Sequence, residues 1–148
     1  MNESVVHAVM TEARSCAFVM LESASHIQSE LANVRMNDAL RTQTEQVCTA
    51  LIGTKHDIIT ELDELDELLP SEASASDIRS KVNLLLEWLR DDITRMHQLV
   101  MALESASKQD PACIDAYVLV TESTTNILNA IARTRAAADT LRVEADET

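Results

Sequence analysis

One glycine and two prolines in 148 residues leave this chain almost nothing that ends a helix. Gly frees the backbone, and Pro removes a donor and clashes with the preceding turn, so helices stop at such residues. Here they are Gly53, Pro70 and Pro111. The apolar residues point the same way. Phe18, Trp88 and Tyr117 are the only aromatics, although 46% of the chain is hydrophobic. Leu, Ile, Val, Met and Ala must therefore fill the core, which suits helices lying side by side. Sandwiches and barrels draw on more aromatic and β-branched surface. The length is that of one domain, and the apolar content is too high for compositional disorder.

Start signals and periodicity divide the chain into four segments. Asp110-Pro111 pairs a good N-cap with the residue favoured at the first helical position. From there Tyr117, Val120, Thr124, Ile127, Ile131, Thr134, Ala138 and Leu141 recur at intervals of three and four. Leu69-Pro70 closes an earlier segment, and Ser74 with Asp77 forms a capping box for the next. That third segment carries Ile78, Val82, Leu85, Leu89, Ile93, Met96, Val100 and Leu103 on one stripe. In the second, Leu40, Thr44, Val47, Leu51, Thr54, Ile58, Leu62, Leu65 and Leu69 keep phase across Gly53, so the helix is expected to run through it. The first turn falls near 33–38, where Asn33, Asn37 and Asp38 are the available caps. The spacing thus predicts an all-α, antiparallel up-down-up-down four-helix bundle with helices at about 3–34, 37–69, 76–107 and 111–144, in a single domain over 1–148.

The net charge is −13, and it is concentrated: residues 36–69 hold eight acids against two bases. Such a field repels nucleic acid and anionic membranes and favours cationic partners. No direct nucleic-acid or membrane binding is expected. Cys16, Cys48 and Cys113 form no close pair, which predicts reduced, packed thiols rather than a disulfide framework or metal clip. The opening Met1-Asn2-Glu3-Ser4 lacks the basic start of a secretory signal. The apolar run Cys16–Leu21 is far too short to span a bilayer. A cytoplasmic protein is the expectation.

Catalytic constellations are scarce. Glu-x-x-His pairs, which build di-metal sites in bundles, do not occur at His7, His26, His56 or His97. Glu3/His7 and Glu22/His26 share a face at i, i+4, a spacing usual for exposed hydrogen bonds. One glycine forbids Gly-rich phosphate cradles. His97 lacks the neighbours of a phosphorelay histidine. Cys113, in a first helical turn, is flanked by Asp110 and Asp115, which disfavour a thiolate. No catalytic residue, cofactor or metal is expected.

Two features point instead to interaction. Thr60-Glu-Leu-Asp-Glu-Leu-Asp-Glu-Leu-Leu69 places Leu62, Leu65 and Leu68 every three residues with Asp63, Glu64, Asp66 and Glu67 between them. It is either a solvated helix face or a docking ridge for a basic protein. Cys16–Leu21 and Leu84-Leu85-Leu86 with Trp88-Leu89 hold apolar residues at consecutive positions, so they are buried on more than one side or form an interface. The reading is a non-enzymatic, acidic adaptor or chaperone-like module that binds a basic protein and self-associates, with Asp63, Glu64, Asp66, Glu67, Leu84 and Trp88 at the interface. Two alternatives are a ligand or metal pocket inside the bundle, built on the Thr44, Thr54 and Thr124 seam with a buried His or Cys, and an antagonist that mimics nucleic acid. A scaffold subunit that forms higher oligomers is a third.

Overall fold

Asn37 shows how the sequence sets the first helix boundary. Its side-chain Oδ1 accepts from the backbone N–H of Leu40 at 2.8 Å, and its carbonyl accepts from Arg41 at 3.0 Å, which is N-cap geometry. The computed structural model describes residues 3–68 and 75–147. Among them lie four α-helices: α1 (Glu3–Glu30), α2 (Asp38–Leu68), α3 (Ala75–Gln109) and α4 (Ile114–Glu147), with a 3-10 turn at Pro111–Cys113.

α1 stops at Glu30, four residues before the expected end. Its last carbonyls are taken up in tighter bonds, Leu31 to Gln28 at 3.4 Å and Asn33 to Glu30 at 2.9 Å. Arg41 then reaches back from α2 to cap the carbonyls of Leu31 and Val34. α2 runs through Gly53 without interruption, as its unbroken apolar phase predicts. The Asp110 side chain caps Ala112 N–H at 3.1 Å, but the first turn after Pro111 winds as 3-10 before α4 begins. Leu69, where the second helix is expected to end, Pro70 and Ser74 lie outside the described residues.

Cross-links between helices fix their directions. Residue 54 of α2 bonds to 92 of α3 and residue 61 to 81, so the two helices run in opposite senses. Arg14 meets Asp63 and Asp66 while Leu31 meets Arg41, so α1 and α2 are also antiparallel. Arg35 pairs with Asp110 at 3.3 Å, bringing the α1–α2 and α3–α4 connections to one end. α1 and α3 each pack against α2 and α4, and α1 and α3 barely touch across the diagonal. The arrangement is a square four-helix bundle.

The seams face inward much as their spacing implies. Leu51, Leu62, Ile78, Val82, Met96, Leu103, Val120 and Ile127 are wholly buried. Each large aliphatic side chain buried this way contributes about 1.5–3 kcal/mol relative to exposure. The α2–α3 seam is the thinnest of the four, and polar contacts cross it: Lys81 to Glu61 at 2.7 Å and Thr54 to Asp92.

Candidate interaction surfaces

The acidic segment of α2 divides cleanly. Leu62 and Leu65 are buried in the core, so the leucines are not presented to a partner and only the carboxylates face out. The side chain of Leu68 lies outside the described residues. Asp63 and Asp66 also have an internal role, because both grip Arg14 of α1, Asp63 at 2.9 Å. Partial burial works against the Arg14 charge. Hydrogen bonds to Asp66 and Asp63 outweigh it and raise the pKa above its usual value. Glu64 and Glu67 are exposed and have no ion-pair partner among the described residues.

Leu84 and Trp88 are 44% and 36% exposed, one turn apart on α3. Lys81 and Asp92, just before and after them on the same stripe, bond to α2. Trp88 and Leu84 therefore stand at the α2 side of α3, next to the acidic helix. Asp91, at i+7 from Leu84, extends the stripe and is exposed. The broad apolar run of α1 splits: Cys16, Ala17 and Met20 are core, whereas Phe18 is half exposed with Lys55 5.8 Å above its ring.

Two open grooves flank α4. One, against α1, has a volume of about 360 Å³ and is polar: Glu22, Ser23 and His26 face Asn126, Asn129 and Arg133 across it. The i, i+4 pair Glu22/His26 is brought here to the surface, not to the core. The other, against α3, has a volume of about 680 Å³. Leu86, Ile93 and Ile131 form its floor, Leu84 and Leu128 its rim, and Arg90, Arg135 and the acid Glu87 supply its charge. The sequence holds these residues in plain view, but nothing local shows that residues 90 and 135 share a groove.

The interior has little room for chemistry. All four histidines are exposed, so none supplies a buried base. Among the described residues, no group of three or more His, Cys, Asp or Glu could hold a metal ion. The core void beside Cys16 and Thr134 measures about 10 Å³, space for at most one water. The threonines do not form one layer. Thr44 and Thr54 lie ten residues apart on α2, about 15 Å along its axis. Thr44 and Thr124 bond the carbonyls of Leu40 and Val120 within their own helices at 2.7 and 2.8 Å, and Thr54 bonds Asp92. The cysteines are buried and free. Burial pushes Cys16 and Cys48 each up to about 11, so neither is a thiolate at neutral pH. Asp92 is a buried carboxylate whose pKa is raised by desolvation, partly offset by the Thr54 hydroxyl and Arg95.

Among the described residues no helix is long and apolar enough to cross a membrane. Fold and surface together define a four-helix bundle with an acidic face, an exposed Trp88–Leu84 step and two grooves beside α4. No protein-family model, curated protein or solved structure matches the chain significantly.

Proposed function

We propose that this protein is a non-enzymatic interaction module of the cytoplasm, an acidic bundle that holds a basic protein partner and associates with itself. The observation that carries the proposal is the Leu84–Trp88 step beside α2. Trp is enriched at interface hot spots, and Leu84 one turn away widens the apolar surface around it. Among the described residues, exposed carboxylates without an ion-pair partner stand on the same two helices. Asp91 of α3 is one turn from Trp88, and Glu64 and Glu67 of α2 lie further along, toward the start of α3. An apolar anchor on a helix pair that carries such acids suits a partner that offers an apolar side chain among Lys and Arg, with the acids speeding encounter. Asp63 and Asp66 contribute to the field, but their first task is to bind Arg14 across the α1–α2 seam.

The test uses the full chain. Native mass spectrometry of the wild type is expected to give a dimer, and Trp88→Glu a folded monomer of unchanged helicity. Replacing Glu64, Glu67 and Asp91 by their amides should release a basic partner co-purified from the native host while leaving the fold intact. Partner binding unchanged by these amides would refute the part given to the acids. A wild type that stays monomeric at high concentration would refute self-association.

A further inference from the structure

Twelve Lys and Arg residues serve this chain against twenty-five acids, so every base has carboxylates to choose from. The fold commits most of them. Six pair with carboxylates, Arg41 binds backbone carbonyls, and Lys55 lies over the Phe18 ring. Among the side chains described, that leaves Arg79, Arg90 and Arg135 with no such partner. These three are not scattered. Arg90 and Arg135 overhang the α3–α4 groove from its two walls, against a single carboxylate, Glu87, among its lining residues. Arg79 stands at i−7 from Leu86 and i−11 from Arg90, on the stripe of α3 that lines the same groove.

We propose that the α3–α4 groove docks an acidic amphipathic helix from another protein. The charges and the shape both select this occupant. Arg79 and Arg90 are separated by eleven residues, about 16 Å along α3, and the turn at Asp110 brings Arg135 to a height between them. One anionic head group cannot meet guanidinium groups spread over that length. A helix with Asp or Glu on successive turns meets each of them. The groove runs along α3 from Ser80 to Ile93, about 20 Å, which matches four turns of an added helix. Its floor of Leu86, Ile93 and Ile131 with the Leu128 rim takes apolar anchors at i, i+3/i+4 and i+7. The net charge of −13 does not prevent this, because at physiological salt a charge is screened beyond about 8 Å. Within that range the two groove arginines outnumber the one lining carboxylate, Glu87. Two copies meeting through this groove about a two-fold axis would bring its arginines against their own counterparts, and like charges oppose that contact. The groove shares its Leu84 rim with the Trp88 step, but its arginines select the opposite charge, so titration with the Glu peptide and the Arg90/Arg135 variants test it separately.

The test uses two fluorescein-labelled synthetic peptides of about 18 residues, five turns of helix. Each carries a Leu stripe flanked by Glu in one and by Lys in its twin. Anisotropy titration of the full chain at physiological salt should show binding of the Glu peptide and not of the Lys twin. The double variant Arg90→Glu/Arg135→Glu should lose at least about tenfold in affinity for the Glu peptide and gain for the Lys twin. Both side chains are exposed, so circular dichroism should show an unchanged bundle. Should that variant unfold, Arg90→Gln/Arg135→Gln keeps the test. Preference for the Lys twin, binding of neither peptide, or an affinity unchanged by both double variants would overturn the proposal. So would full displacement of the Glu peptide by dodecanoate, which would assign the groove to a small amphiphile.

Discussion

Leu62→Ala separates a core leucine from a docking ridge. Leu62 lies among acids in the sequence, yet its side chain is wholly buried. Truncation to Ala removes the equivalent of three methylene groups, about 2.4 kcal/mol at 0.8 kcal/mol each. A residual cavity on the order of 40 Å³ adds about 1 kcal/mol at 24 cal/mol per Å³. The expected loss is about 3.4 kcal/mol, a fall in Tm of roughly 7–14 °C for a chain of this size. Urea denaturation followed by far-UV circular dichroism measures it directly, with Leu84→Ala as the companion. Leu84 is 44% exposed, so its truncation should cost no more than about 0.5 kcal/mol in the isolated chain. A Leu62→Ala loss under about 1 kcal/mol would refute the assignment of the leucines of this segment to the core. A loss at Leu84 as large as that at Leu62 would refute the assignment of Leu84 to the surface.

Three further outcomes follow from buried groups. The hydroxyl of Thr121 is buried without a hydrogen-bond partner among the described residues, so Thr121→Val should stabilise the bundle by about 1 kcal/mol in the same denaturation assay. The folded-state pKa of Asp92 is raised above its unfolded value, so its stability contribution is greatest below about pH 3.8 and falls as pH rises through the raised value. Asp92→Asn keeps an oxygen that can accept from Thr54 and should therefore gain on the wild type as pH rises through that window. Urea midpoints measured from pH 3 to pH 7 should diverge, and parallel curves would contradict the assignment. Cys16 and Cys48 are buried and pushed up to about 11, so iodoacetamide at neutral pH should leave both largely unmodified in the native protein and alkylate both in urea, read by mass spectrometry.

What the sequence determined alone was everything that depends on near neighbours. With so few breakers, the apolar period of three and four residues is enough to make four helices and to say which stripe of each faces inward. Ile78, Val82, Leu85 and Leu89 are buried as their spacing implies, and Asn37 and Asp110 cap helices where their side chains predict. The unbroken phase of α2 carried it through Gly53. Tertiary structure decided what lies between helices. That Asp63 and Asp66 grip an arginine some fifty residues away, that Phe18 and Trp88 stay partly in solvent, and that Arg90 and Arg135 meet over one groove follow from which helices are neighbours and at what height they pair. Helical spacing assigns each residue an angle around its own axis. Only the packed bundle assigns it a partner, because an ion pair or a groove is a relation between two surfaces and is encoded in neither alone.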